Sequence, residues 1–460
     1  MRSALSKYLQ DLRASYWFLP SLMALAAVLL AYVTLKLDSH LSLKALAGWG
    51  LLSVTGVEGA RSLLSTIAGS MMGVAGVTFS MTIVAVSFAS SNYGPRLVGS
   101  LMRDRGNQAT LGVFIATFVY CLLILGSVRD GPDGDSLSTD SFIPAFSVLV
   151  ALGLTATSIG VLIYFIHHVP DTLNVGNLAA RVGMSIDKHL DHLYPDRLQD
   201  FQEEKDAPAV WRGDVGGLQP HFVRSPDAGF IRAIDLAALH HQACTHDLWL
   251  RLQYRPGEFV CEGDILLDVW SAKGRMDEAL LHDLAGQYAL GRQRSPEQSL
   301  FYLVDQLADI AIRALSPGVN DPYTAIECYH WLRQATQRLA IKETSKDQFE
   351  DGRVVTHPIS FEQFLGRSFD RTRPYVAKDR NVALHAIDIL TETADALPPG
   401  HRRDAVERRL HYLHEEVMSS PPAFWHKEFR DRLETARQIL RSEKTREALR
   451  VTPDWFGGRG

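Results

Sequence analysis

Between Leu63 and Ser91 the chain carries no Asp, Glu, Lys, Arg or His. No side chain in this run resists transfer into hydrocarbon, and a lone segment in a bilayer satisfies its own backbone N–H and C=O groups only as a helix. The run therefore reads as a transmembrane helix over 63–91. Three more uncharged runs, 17–35, 109–128 and 141–166, read the same way. Tyr16 and Trp17 suit the headgroup layer, and Pro20 falls in a first turn, where a missing N–H costs little. The mean hydropathy of −0.03 hides this division, because it averages an apolar first third with a polar remainder.

Orientation follows from basic residues in the short connections. Arg2, Lys7 and Arg13 precede the first span, and Arg96, Arg103 and Arg105 lie between the second and third. The loop between the third and fourth holds Asp130, Asp133, Asp135 and Asp140 against Arg129. This predicts a bacterial inner-membrane protein with a cytoplasmic N-terminus and a cytoplasmic C-terminal region. No Ala-x-Ala site follows the first run, so it is expected to be a retained span, not a signal peptide.

Cys121, Cys244, Cys261 and Cys328 are scattered without a Cys-x-x-Cys pair, which predicts neither a disulfide framework nor a zinc site. A net charge of −5 gives no electrostatic case for nucleic acid.

Gly69, Gly73, Gly76, Ser80, Ser87 and Ser91 recur at helical spacing along the second span. Two readings stand. The seam is a site of close helix packing of the small-xxx-small kind, or Gly73, Gly76, Ser80 and Ser87 line a wet path where copies of this helix meet. The break after it, with Asn92, Pro95 and Arg96, is a candidate gate or coupling turn. His167 and His168 end the fourth span. Adjacent helical residues point about 100° apart and cannot chelate one ion as an i, i+4 pair can. They read as interfacial polar residues, or as a proton or ion site if a symmetric assembly converges them.

Leu173, Leu178, Val182, Ile186, Leu190 and Leu193 predict an amphipathic helix over 169–198 that continues span four, with a kink at Pro170. Residues 199–220 read as a linker and 221–275 as a small β-rich domain. Its Pro256 to Leu266 stretch resembles the strand-turn-strand units of barrel-sandwich folds that carry biotin or lipoate. No lysine stands at a hairpin tip, so covalent cofactor attachment is not supported, and no cofactor or metal is expected.

The remainder, 276–460, reads as helical. Ser295-Pro296-Glu297-Gln298 matches a capping box opening one helix, and Asp321 caps the next. Asp305, Asp309 and Arg313 at i, i+4 spacing, followed by Asn320 and Asp321, read as an ion pair plus a capped turn, or as a platform offering N–H groups and carboxylates to an anionic ligand or a neighbouring subunit. Arg367, Arg371, Arg373, Lys378 and Arg380 form a basic cluster, either a solvated surface or a site for anionic headgroups or phosphate. No nucleophile–base arrangement, Walker loop or His-Glu-x-x-His helix is found, so the sequence predicts no enzyme.

Several long phrases are similar to one family. They are Val86-Ser87-Phe88-Ala89-Ser90-Ser91 leading to Gly94-Pro95-Arg96-Leu97, then Asp104-Arg105-x-x-Gln108, Leu111-Gly112-x-Phe114-x-x-Thr117-Phe118-x-Tyr120, Phe165-Ile166-His167-His168, Pro256-Gly257-x-Phe259-Val260 and Arg313-Ala314-Leu315-Ser316-Pro317-Gly318-x-Asn320-Asp321-Pro322. The chain resembles the bacterial predicted membrane proteins of domain of unknown function 2254. The resemblance implies an inner-membrane protein and brings no activity or catalytic residue with it.

The fold expected is an α-helical membrane protein with four spans followed by a cytoplasmic α+β region. The function expected is a homo-oligomeric channel or transport-like protein in the lipid bilayer, with a regulatory or assembly domain and a small ion as cargo. The alternative is a membrane-anchored ligand-binding or signalling module without a pore.

Overall fold

The computed structural model describes residues 16–40, 57–94, 104–129, 143–193, 219–271, 276–342, 352–357, 359–421 and 423–442. The chain divides after Asn174 into two compact units.

The first unit contains four helices long and apolar enough to cross a membrane: α1 (Phe18–His40), α2 (Val57–Tyr93), α3 (Arg105–Ser127) and α4 (Ala145–Leu173). α2 begins six residues before the uncharged run, and α4 runs seven beyond the expected 166, through the two histidines and Pro170 to a cap at Asn174. The chain expected to bend at Pro170 breaks four residues later, where Asn174 adopts extended backbone.

The bundle is organised around α3, which packs on α1, α2 and α4. Phe114, Tyr120, Cys121 and Ile124 of α3 are fully or almost fully buried, against Ala31, Leu64 and Ala151 of its neighbours. Polar side chains pin this apolar core at one end and again deeper within it. Pro144, at the N-terminus of α4, has no capping side chain, and Asp38 from the end of α1 supplies one. Its carboxylate accepts from Phe146 N and Ser147 N, each at 2.9 Å, and from Ser147 Oγ at 2.6 Å. A carboxylate there satisfies orphan N–H groups and faces the positive end of the helix dipole. Tyr120 Oη donates to Ser147 O (3.1 Å) and pairs with Thr34 Oγ1 (3.0 Å), so the spans α1, α3 and α4 share one polar knot. Deeper in the bundle, Thr117 Oγ1 and Ser158 Oγ pair at 3.0 Å across α3 and α4.

The second unit opens with α5 (Val175–Leu193), which buries Leu178, Ala179, Val182, Ile186 and Leu190. Two small sheets follow. β1 (His221–Arg224), β5 (Ile265–Ser271), β3 (Leu248–Leu252) and β7 (Val354–Val355) form one, in the order β1-β5-β3-β7. β4 (Phe259–Val260), β2 (Gly229–Ile234) and β6 (Tyr288–Gly291) form the other, in the order β4-β2-β6. β3 and β5 are antiparallel with Leu250 opposite Val269, and β7 joins β3 in parallel. Leu248, Leu250 and Leu252 alternate inward as their spacing predicts. The sheets recruit β6 and β7 from beyond residue 275; helix α6 (Leu236–His246), which the strand pattern did not signal, packs on β3 and β7, and α7 (Glu278–Ala285) packs on β1.

The helical part comprises α8 (Leu300–Ala314), α9 (Pro322–Ala340), α10 (Phe361–Leu365), a five-residue π-helical turn Gly366–Asp370, α11 (Arg373–Val376), α12 (Arg380–Asp395), α13 (His401–Ser419) and α14 (His426–Arg441). The expected capping box at Ser295 to Gln298 is not one. Gln298 instead clips β2, accepting from Ile234 N at 2.9 Å and donating to Ile234 O at 3.3 Å, and Ser299 caps α8. The side chain needed at the third helical position is thus already committed to a strand. α5 packs on α8 and α9 with Gly183 against the Trp331 ring, where a Cβ would stand 2.2 Å from a ring carbon.

Candidate functional site

The seam of α2 lies on its outer surface. Ala60, Leu64, Ile67, Met71, Ala75, Thr78, Thr82 and Ala89 are buried in the bundle. At 3.6 residues per turn, Gly69, Gly73, Gly76, Ser80 and Ser87 lie about half a turn away from that face. All five are exposed, and the space beside each of the three glycines is open to 4 Å. The helix therefore packs a face of Ala, Leu, Ile, Met and Thr within the protomer and leaves its Gly and Ser seam bare. Glu58 is exposed in the first turn of α2, on this same outer face. Asn92 falls in the last turn of α2, and Pro95 and Arg96 lie outside the described residues.

The two histidines separate as their spacing requires. His167 is exposed, whereas His168 turns toward α3, with Nε2 2.9 Å from Asp104 Oδ2. Asp104 is also the N-cap of α3, accepting from Gly106 N at 2.7 Å. The Tyr164 and His168 rings stack at 4.9 Å over Gly106, whose absent side chain makes room: a Cβ there would stand 2.7 Å from both His168 Nε2 and the Tyr164 hydroxyl oxygen. This contact ties the start of α3 to the end of α4. The sequence reading named Asp104 only within a family phrase and gave it no capping role, although an Asp directly before a helix is a capping signal. Among the described residues no group of three or more metal-ligating side chains occurs.

In the second unit Asp305 is fully buried on α8. Arg367 grips it with both edges, Nε to Oδ1 at 2.5 Å and Nη2 to Oδ2 at 2.8 Å; Arg294 Nη1 donates to Oδ2 at 2.8 Å and Arg371 Nη1 to Oδ1 at 3.0 Å. Arg371 also reaches Asp309 at 2.8 Å. Burial alone would raise the Asp305 carboxyl, but the hydrogen bonds and charge of Arg367 and Arg294 outweigh it and hold the group below the usual carboxylate range. The spacing of Asp305, Asp309 and Arg313 suggested a pairing within one helix. Asp305 instead takes its arginines from a turn 11 residues earlier and a segment about 60 residues later.

The turn from Ser316 to Asp321 is closed on itself. Val319 N and Asn320 N donate to Ser316 O, and Asp321 N donates to Ala314 O. Asn320 has φ 50°, and Asp321 caps α9 by accepting from Thr324 N and Thr324 Oγ1. These three N–H groups are spent on the turn itself. The basic cluster is also largely paired: Arg373 with Asp370 and Glu416, and Arg380 with Glu428.

A family model described as predicted membrane protein, domain of unknown function 2254 (DUF2254), matches residues 13–392. Relatives described as uncharacterised proteins of Mycobacterium bovis and Mycobacterium tuberculosis are 28% identical over 359 residues, covering 76% of this chain and 67% of each relative. No solved structure matches. With four apolar helices in the first unit and a match over most of its length, the chain belongs to the DUF2254 family of predicted membrane proteins.

Proposed function

We propose that this protein is a bacterial inner-membrane homo-oligomer in which the outer face of α2 meets neighbouring copies and lines a path for small ions, with both termini cytoplasmic. One observation carries this reading: Gly69, Gly73, Gly76, Ser80 and Ser87 lie opposite the face that α2 buries in its own bundle. Contacts among the described residues of the protomer do not account for them. Acyl chains gain nothing from bare backbone and hydroxyls, whereas helices that approach closely use small residues, and hydrated ions are stabilised by hydroxyl and backbone groups. The basic residues before span one and between spans two and three support the orientation. The second unit serves as assembly platform or gate, with Asn92, Pro95 and Arg96 as the coupling turn.

The test starts from a variant with the four cysteines replaced by serine. Single cysteines at Gly73 and Ser80 are expected to cross-link between protomers in native membranes, and one at the buried Thr78 is not. The purified protein is expected to pass ions in planar bilayers. A monomer in membranes, without cross-links at the seam and without ion flux, would remove the proposal.

A further inference from the structure

The arginine group above Asp305 holds more donors than its carboxylates can use. Each guanidinium has five N–H donors and no acceptor. The Asp305 oxygens already accept from Arg294, Arg367 and Arg371, and Asp309 accepts from Arg371. Nη1 of Arg367 and Nε of Arg371 have no acceptor among the described residues. Three guanidiniums face two carboxylates, so the group carries a surplus of one positive charge. That surplus stands at the surface, because the Arg367 and Arg371 side chains are 40% and 38% exposed while Asp305 beneath them has no exposed surface. Both guanidiniums are held in place, Arg367 by its two-edged grip on Asp305 and by the Phe301 ring 5.4 Å below it, Arg371 by bridging Asp305 and Asp309. Arg373 and Arg380 nearby in sequence are matched by their own carboxylates, so the excess is local to this pair.

We propose that Arg367 and Arg371 together bind a phosphate group, presented either by a free phosphate compound or by an anionic phospholipid headgroup. Planar guanidiniums match the O–P–O edge of a phosphate, and two fixed forks one helical turn apart offer donors to more than one of its oxygens. Ordering two arginines is a large part of the entropic cost of such a site, and here Asp305 has already ordered them. The site does not depend on the channel reading, since it needs neither a pore nor an oligomer.

The test uses the full chain in neutral detergent at low ionic strength. Inorganic phosphate and a soluble short-chain phosphatidylglycerol are titrated separately by calorimetry, with short-chain phosphatidylcholine as control. Arg371→Gln is expected to weaken binding by at least about tenfold, the loss of a charge-assisted contact. Asp309→Asn leaves every contact to Asp305 in place and removes one competing carboxylate, so it is expected to tighten binding. This second variant separates a ligand site from a purely structural cluster, because a folding defect does not raise affinity. Saturable binding of inorganic phosphate with both responses identifies a free phosphate compound. The same responses to phosphatidylglycerol alone identify a headgroup. No saturable binding of either probe, or binding that both variants leave unchanged, overturns the proposal.

Discussion

Asp305 shows how one side chain holds together segments far apart in the sequence. Its carboxylate joins Arg294 and Arg367, 73 positions apart in the chain, on the flank of α8. Replacing it with Ala leaves Arg294 and Arg367 without their carboxylate and Arg371 with Asp309 alone, and removing one partner of a buried ion cluster costs about 3–5 kcal/mol. Urea unfolding followed by circular dichroism is expected to show that loss in Asp305→Ala; a change within error would mean that the cluster is incidental. The pH dependence has a definite sign. Because the folded carboxyl titrates below its ordinary value, its contribution is complete above the unfolded pKa, roughly 4, and is lost as pH falls through the lower folded value. Wild type is therefore expected to lose stability on acidification from pH 5 to pH 3 more steeply than Asp305→Ala. Gly183 makes the opposite kind of demand. A methyl there meets the rigid Trp331 ring, so Gly183→Ala is expected to cost about 1–3 kcal/mol by overpacking, read as a lowered Tm.

At the scale of the element, α2 was legible as a span from its lack of charge, and its small residues from their spacing. Which way the seam faced was not legible, because an all-apolar helix has no polar side to mark solvent and the buried face is chosen by α3 and α4. α3, the centre of the bundle, gave no special signal, since its role comes from neighbours on three sides. The caps divide in the same way. Asp321 was readable because an N-cap acts within three residues, whereas the carboxylate that caps α4 is Asp38, more than 100 positions away. The Asp305 cluster was hidden for the same reason: its arginines are neighbours in space only. The exposed position of Glu58 adds a consequence for the proposed path. On the same face as Gly69 and Gly76, copies of Glu58 around an axis would form a ring of carboxylates at one mouth, the arrangement that favours cations. Reversal potentials in asymmetric potassium chloride are expected to show cation preference in wild type and a smaller one in Glu58→Gln. Equal selectivity in the two would take Glu58 away from the path while leaving the seam as a subunit contact.

At the scale of the whole molecule, the four apolar helices all lie ahead of the division at Asn174. In the proposed topology four crossings would return the chain to the side on which it started, and the basic residues are the argument for placing that side in the cytoplasm. The cysteines allow a direct check. Cys244 and Cys261 are exposed on the second unit, while Cys121 is buried in the bundle and Cys328 within α9. Burial, reinforced by the negative charges of Glu327 and Asp321, pushes the Cys328 thiol far above its ordinary range. That leaves almost no thiolate to react at neutral pH. A membrane-impermeant maleimide applied to intact spheroplasts is therefore expected to label none of the four. After permeabilisation it is expected to label Cys244 and Cys261, with Cys121 and Cys328 reacting only in denaturant. The variant Glu58→Cys in an otherwise cysteine-free background supplies the reciprocal measurement, because the proposed topology puts the start of α2 on the face opposite the N-terminus. Its single thiol is expected to react in intact spheroplasts. Labelling of Cys244 or Cys261 without permeabilisation would invert the topology, whereas protection of the Glu58→Cys thiol together with the second unit would argue against an outward-facing start of α2 and so against three crossings between Glu58 and the second unit.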